Sequence, residues 1–371
     1  MKICYISNYK EASGYSAAAR NYIEAIASVG IDIVPQNVRI TGTSCEVSNK
    51  IKELEKNNLD QVGVVIQHTL PHMFERKEGV FNILMFAVES DRIPEEWIPG
   101  CRAADLIVMF SEHSKDCLKR QLKTENVVYI PHTFDPAKYA QEYSKLLLNP
   151  VVDGRFKFYS IGETNLRKNT VGLLRAYLTE FRATDNAILI LKTSIQGQDQ
   201  ETAANTIKTT IEEIKRGTKL KTFAPVLIIT ERFPEDTICR LHATCDCYVT
   251  LSRGEAWNIG AFEAKAFGNH VVCSDIPGHR YLKNTSSIFV TTYLSKCFGN
   301  VDTFDFLHTA EEIWHEPCIY DASSSMRNVY EYFSDKTDLK NSDFIKQFSY
   351  EEVGNLFKET IEERINAVSN K

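Results

Sequence analysis

The chain lacks any apolar run of the ~18–20 residues that a membrane-spanning helix needs. Even Phe81 to Val88 has only the length of a buried strand. It also lacks a signal-peptide pattern, because Met1-Lys2-Ile3-Cys4-Tyr5-Ile6-Ser7 begins a strand at once. Its ten cysteines show no framework spacing. Cys245-x-Cys247 runs into a strand, where the two side chains share a face, and no second pair stands at ligand spacing. Zinc is therefore not expected, and reduced thiols in a cytoplasm are the simpler reading. Basic charge is not in excess either: the net charge is −6, and acidic and basic residues are nearly balanced over the first 150 positions. Bulk charge thus gives no support for nucleic acid or an anionic membrane as partner. There is no short-period repeat, and no Asp-x-Asp stands where it would hold a metal against a phosphate.

What is there is ordinary in bulk and informative in order. A chain of 371 residues, 43% hydrophobic and 25% charged, is long enough for two globular domains. Strands recur at Ile3 to Ser7, Ile31 to Val34, Gly63 to Gln67, Phe81 to Val88, Leu106 to Phe110 and Val127 to Ile130, with helical segments between them. Pro136 to Gly154 is polar and turn-rich, and reads as a linker. A second series follows at Phe156 to Ile161, Ala187 to Leu191, Val226 to Ile229, Cys247 to Leu251, Val271 to Ser274 and Ile288 to Val290. Alternation of this kind predicts an α/β protein with two Rossmann-like, doubly wound parallel sheets. Such sheets present ligands to the carboxyl ends of their strands.

Three stretches at strand ends carry the chemistry. The first is Thr250 to Gly268, where a strand breaks at Gly254 and a helix starts near Gly260, with Glu255 on the loop and Glu263 eight residues later in the first turns of the helix. Backbone N–H groups at such a junction suit an anion, and carboxylates beside it suit sugar or ribose hydroxyls. The plain alternative is a solvated loop Glu and a helix-start Glu worth ~0.3–1 kcal/mol against the helix dipole. The second is Tyr159-Ser160-Ile161-Gly162-Glu163-Thr164-Asn165-Leu166-Arg167-Lys168-Asn169. Two cations at a helix start are disfavoured by the partial positive charge there, and an anionic ligand would explain them. The third is the turn after the first strand, Asn8 to Ser16, where Gly14 permits close backbone approach at the start of a helix that ends at Gly30.

These stretches together resemble the retaining nucleotide-sugar glycosyltransferases of family 4. Glu255 and Glu263 match that family's E-x7-E signature, and the wider match runs from Ser252 to Asp275. Ile259-Gly260 stands where Leu-Pro is usual, and His270 where Pro is usual. Glu89-Ser90-Asp91-Arg92-Ile93-Pro94-Glu95-Glu96-Trp97 is similar to the W-E-x-D-x-x-P-x-x-W segment, with Val88 at the first Trp. Ile130 to Asp135 resembles the end of the family's first domain, and Trp314 to Arg327 its W-x-x-P…M-R stretch.

The resemblance implies the GT-B fold, with two domains facing a cleft: residues 1–150 binding the acceptor, 151–335 binding the nucleotide-sugar, and 336–371 as terminal helices packing back on the first. It implies transfer of a hexosyl or pentosyl group from a nucleoside-diphosphate sugar, UDP-sugars favoured, to an acceptor hydroxyl with retention of configuration and without a metal or other cofactor. Arg167 and Lys168 would hold the diphosphate and Glu255 the donor sugar; with His68 these form the expected catalytic set. Glu263 would take the ribose hydroxyls. Gly14, Tyr15, Trp257, Asn258, Ile259 and Arg232 complete the expected donor site. Ser16, Glu89, Asp91 and His113 are expected on the acceptor side. Carbohydrate, a small molecule or modified viral DNA bases stay open as acceptors. Three other classes also stay open. Glu255 and Glu263 could be the acid and nucleophile of a glycoside hydrolase; His68, Glu89 and His113 could serve a sugar-nucleotide epimerase; or the chain could bind a sugar nucleotide without chemistry.

Overall fold

The computed structural model describes residues 1–40, 44–298, 309–332 and 342–369. They form two compact units, Met1–Ala140 with Ser342–Lys371, and Gln141–Asn341.

The first unit is built on a six-stranded sheet of β1 (Lys2–Ser7), β2 (Asp32–Asn37), β3 (Val64–His68), β4 (Phe81–Met85), β5 (Leu106–Met109) and β6 (Val127–Tyr129), in the order β2-β1-β3-β4-β5-β6. Every pairing is parallel. β3, β4 and β5 are buried along their whole length, which is why they read as nearly unbroken apolar runs rather than alternating ones. The connecting helices are α1 (Gly14–Ser28), the short α2 (Asn49–Leu54) and α3 (Ile98–Ala103), α4 (Glu112–Leu122) and α5 (Pro136–Ala140). α1 starts at Ser13, whose hydroxyl accepts the Ser16 N–H at 3.1 Å. It stops at Gly30, which takes φ +77° beyond the last turn.

The second unit carries β7 (Phe156–Glu163), β8 (Ala187–Ser194), β9 (Val226–Ile229), β10 (Cys247–Thr250), β11 (His270–Ser274) and β12 (Ile288–Val290), all parallel, in the order β12-β11-β10-β7-β8-β9. Its helices are α6 (Thr170–Glu180), α7 (Gln200–Arg216), α8 (Glu235–Thr244), α9 (Ile259–Ala266) and α10 (Ile319–Tyr332). The core joins Phe158, Leu189, Val249 and Val272 of the sheet to Leu173, Tyr177 and Met326 of α6 and α10. Arg327 clamps those two helices from outside, at 2.8 Å from Glu180 and 2.9 Å from Asp185. Met326 and Arg327 thus hold the unit together.

Two features depart from the sequence reading. β7 and β8 run on to Glu163 and Ser194, so both reach further toward the ligand edge than expected, whereas β4 stops at Met85. A two-stranded antiparallel ribbon, β13 (Thr292–Lys296) with β14 (Ile313–Pro317), was not anticipated and takes in Trp314. The last described segments, α11 (Ser342–Lys346) and α12 (Tyr350–Ser369), belong to the first unit. Val353, Phe357 and Ile361 of α12 enter its core beside Tyr22 and Ile26 of α1. All ten cysteines are free. Among the described residues no helix is long and apolar enough to cross a membrane.

Candidate active site

In the second sheet the chain runs outward from β7 to β8 and β9, then returns to β10 on the other side of β7. The connections leaving β7 and β10 therefore part in opposite directions, and a crevice opens at the carboxyl ends of these neighbouring strands. The loop after β7 carries Arg167 and Lys168; the loop after β10 carries Glu255. A small polar cavity lies there, lined among others by Ser160, Gly162, Lys168, Thr250, Ser252 and Asn258.

The two loops meet in an ion triad. Lys168 Nζ donates to Glu255 Oε1 at 2.6 Å, and Arg167 Nη1 donates to Oε2 at 3.2 Å and to the Gly254 carbonyl at 2.9 Å. Ser252 Oγ donates to Oε1 at 2.7 Å. The Glu255 side chain is only 4% exposed, and those of Arg167 and Lys168 11% and 26%. Burial alone would raise the Glu255 pKa, but Lys168 and then Arg167 outweigh it and hold the carboxyl well below the usual carboxylate range. Removing one partner of such a buried pair costs about 3–5 kcal/mol, because the other charge stays behind unpaired.

Both loops enter their helices the same way. Asn169 and Asn258 sit in the left-handed region, at φ 55° and 72°, and each caps its helix with its own side-chain oxygen, on Gly172 N at 3.2 Å and Ala261 N at 3.1 Å. Asparagine tolerates this backbone better than most residues. Asn258 Nδ2 also faces Thr250 Oγ1 and His279 Nε2, each at 3.1 Å. His279 Nδ1 lies 2.8 Å from the Ser274 carbonyl, so Nδ1 carries the proton and Nε2 accepts. Burial pushes the His279 pKa down, which keeps this neutral tautomer. Trp257 stacks on Tyr281 with centroids 4.1 Å apart, and Ile259 opens α9. Two glycines have steric causes. A Cβ on Gly260 would stand 2.5 Å from the Tyr248 hydroxyl, and one on Gly278 would stand 2.0 Å from the Glu255 carbonyl oxygen.

Glu263 lies one helical turn beyond Ile259, 8% exposed, with His242 Nε2 at 3.4 Å from its Oε2. Arg232 follows β9 on an exposed loop. Beside it Lys192, at the end of β8, is pushed below its ordinary pKa by burial and then by Arg232, and its Nζ stands 5.5 Å over the Phe233 ring.

The first unit gathers another group of the expected residues. Gly14, Tyr15 and Ser16 form the first turn of α1 after β1, and His68 ends β3, which pairs with β1. A Cβ on Gly14 would meet nothing within 4 Å, so the space before this turn is open. Tyr15 turns inward: its ring lies 4.6 Å from His68 and its hydroxyl donates to the Met85 carbonyl at 3.3 Å. Ser16 is buried against the cap Ser13, Oγ to Oγ at 2.8 Å. His68 is fully buried, with Tyr5 Oη 2.8 Å from Nδ1, and burial followed by the neighbouring His132 pushes its pKa down to about 3. Glu89 and Asp91 lie half-buried after β4. His113 lies on α4 with Nε2 3.4 Å from Cys117 Sγ, and Asp91 acts on the same thiol electrostatically. Among the described residues no group of three or more His, Cys, Asp or Glu side chains is arranged to hold a metal ion.

No protein-family model matches the chain, and no curated protein sequence matches it. Solved structures do. Sucrose-phosphate synthase from Thermosynechococcus elongatus aligns over 99% of this chain and 100% of its own, with a TM-score of 0.65 at 12% identity. The trehalose-6-phosphate synthase OtsA aligns over 98% and 99%, with a TM-score of 0.65 at 11% identity. HepE from Anabaena, solved in complex with UDP and glucose, aligns over 98% and 100%, with a TM-score of 0.64 at 13% identity. The fold is GT-B. At these identities the likeness extends to the fold and no further.

Thr250 and Ser252, inside the stretch the sequence singles out, bond Asn258 and Glu255, and His279 and Tyr281 join them without a sequence signal. Ser252 stands three residues before Glu255 and was legible in principle. His279 and Tyr281 come from the turn after β11, and only the folded register brings them to Asn258. The same holds for Arg253, whose backbone N–H donates to the Arg167 carbonyl at 2.8 Å and whose guanidinium bonds the Leu166 carbonyl and pairs with Glu316 of β14, Nη2 to Oε1 at 2.9 Å. Arg253 thus ties the cationic loop, the Glu255 loop and the ribbon together.

Proposed function

We propose that the chain is a retaining glycosyltransferase that moves a hexosyl or pentosyl group from a nucleoside-diphosphate sugar, UDP-sugars favoured, to an acceptor hydroxyl. The observation that carries this reading is the convergence of Arg167 and Lys168 on Glu255 at the β7–β10 switch point. Two cations meet one carboxylate there, beside helix N-termini. Paired cations suit a diphosphate, which gains negative charge as the glycosidic bond breaks. HepE, of the same fold, was solved with UDP and glucose.

Arg167 and Lys168 then clamp the diphosphate, releasing Glu255 to accept hydrogen bonds from hydroxyls of the donor sugar. Glu263 takes the ribose hydroxyls, and Arg232 lies beside the base. N–H groups at Trp257, Asn258 and Ile259 orient the sugar and the near phosphate. Gly14 and Tyr15 are assigned to the donor, and Ser16, Glu89, Asp91 and His113 to the acceptor, with His68 in the catalytic set as a neutral imidazole. The acceptor hydroxyl attacks from the face the leaving group departs, and the leaving phosphate takes its proton as the glycosidic bond breaks. Paired cations fill the part a metal would otherwise play. Ten free thiols suit a reducing compartment, the cytoplasm. Glycoside hydrolysis fits less well. A hydrolase has no use for a phosphate clamp, and the lowered Glu255 pKa rules that residue out as the general acid.

The test is a thermal-shift panel of nucleoside diphosphates and their sugars on the purified chain. A ligand at a hundredfold excess over its dissociation constant stabilises the native state by about 2.7 kcal/mol. A shift selective for one nucleotide supports the reading and directs an acceptor screen; no shift with any nucleotide removes it.

A further inference from the structure

α8 and α9 are joined beneath the site by a chain of buried polar groups. His242, in the last turn of α8, is wholly enclosed, and so are Tyr159 of β7 and Asn269, which follows α9. Asn269 Nδ2 donates to the His242 carbonyl at 2.8 Å, which fixes the orientation of its amide. The same nitrogen donates to Tyr159 Oη at 2.7 Å. The Tyr159 proton is therefore directed at His242 Nδ1, 2.6 Å away. Burial pushes the Tyr159 pKa well above its ordinary value, so the hydroxyl keeps that proton. With Nδ1 accepting, the imidazole proton resides on Nε2, and Nε2 faces Glu263 Oε2 at 3.4 Å. Phe267 stacks on the imidazole with centroids 5.3 Å apart and planes 8° from parallel, which holds the ring in place. Two hydrogen bonds have a direction, amide to hydroxyl and hydroxyl to Nδ1, and together they turn Nε2 to an electrostatic contact with the carboxylate.

We propose that His242, held in one tautomer by Tyr159 and Asn269, is a positioning residue for Glu263 and sets how tightly the site grips the ribose of its nucleotide. This inference rests on the reading of Glu263 as the ribose acceptor. A carboxylate that faces the positive edge of a fixed imidazole at low dielectric is biased toward one orientation before hydroxyls arrive, and its negative form is favoured. A carboxylate without that contact would have to be ordered by the ligand, at the cost of affinity.

The experiment compares UDP with 2′,3′-dideoxy-UDP by calorimetry on the wild-type chain, His242→Phe and Tyr159→Phe. Phenylalanine at 242 keeps the stack on Phe267 and removes both nitrogens. The wild type is expected to prefer UDP. His242→Phe is expected to weaken UDP about tenfold while leaving dideoxy-UDP unchanged. Tyr159→Phe, which keeps the imidazole but frees its tautomer, is expected to show a smaller loss of the same ribose-dependent kind. If His242→Phe does not fold, Tyr159→Phe carries the test alone. Equal losses for both nucleotides, or no loss for either, overturn the role of His242 while leaving the donor site intact. A wild type that binds UDP and dideoxy-UDP equally overturns the ribose role of Glu263 and with it this inference; one that binds neither overturns the inference for a uridine nucleotide, while only a thermal-shift panel silent for every nucleotide overturns the glycosyltransferase reading.

Discussion

Each sheet has one switch point, and the two are built from opposite materials. Between β7 and β10 the second unit gathers Arg167, Lys168 and Glu255 and pairs them. Between β1 and β3 the first unit gathers Tyr5, Tyr15, Tyr22 and His68, with Phe110 5.3 Å from the imidazole. The geometry of strand ends is shared, so the difference lies in the side chains alone. One edge holds a carboxylate between two cations. The other is poised to keep an imidazole neutral among rings. A doubly wound sheet therefore supplies a location, and the residues at the strand ends decide whether charge or shape is recognised there.

The contrast breaks most severely if the cations are removed. Arg167→Ala with Lys168→Ala is expected to lower turnover of a nucleotide-sugar by about 10²–10³, the scale of losing one stabiliser of developing negative charge. Steady-state kinetics beside a thermal melt separates this from unfolding, and surviving activity would move the diphosphate clamp elsewhere.

Glu255→Gln sharpens the contrast by acting in two directions. It removes the internal competitor for both cations, so a nucleoside diphosphate is expected to bind about tenfold tighter while turnover falls; weaker binding would show that Glu255 orders the cations rather than competing with the ligand. The same variant has a pH signature. A carboxylate whose pKa is lowered on folding contributes stability above its ordinary 4.5, and that stability is lost as the pH falls toward the lower folded value. Acid titration of the unfolding midpoint below pH 4.5 should be flatter in Glu255→Gln.

The smallest expected effect belongs to the aromatic edge. His68 is neutral in both states at high pH, and the unfolded chain takes up a proton below the ordinary 6.5 while the folded chain waits until about 3. Stability tied to His68 is therefore present above pH 6.5 and is lost as the pH falls, by up to about 1.4 kcal/mol per pH unit. In His68→Phe the melting midpoint should change less between pH 6.5 and 5. An unchanged slope would show that the imidazole is solvated and the ring packing loose. The two edges thus fail in different windows, the aromatic one first.

Much of this was legible before folding. β-branched runs marked the strands of both sheets, and the charges after β7 and β10 come together as an ion triad, because strand-end residues in a parallel sheet share one edge. The β13–β14 ribbon escaped because its strands lie 16 residues apart and carry no tight turn signal. Asn258 showed its polarity but not its work: the backbone N–H groups near it were expected to matter, whereas its side chain caps α9 and meets His279. His242 and Arg253 were silent for a related reason. Their partners, Tyr159 and Glu316, stand 83 and 63 residues away, and only the folded register makes them neighbours.

The packing of α12 on α1 has a consequence for how the protein is made. Tyr350 Oη donates to Asn21 Oδ1 across 329 positions, and Gly354 lies so close to α1 that a Cβ would stand 2.6 Å from the Ala25 carbonyl oxygen. The first unit is therefore incomplete until α12 leaves the ribosome. At roughly 5–20 residues per second, synthesis of the intervening second unit leaves the apolar face of α1 uncovered for roughly 10–40 s. During that interval the nascent chain exposes Tyr22 and Ile26 to any chaperone or neighbour that meets it, and the unit synthesised first is the one finished last.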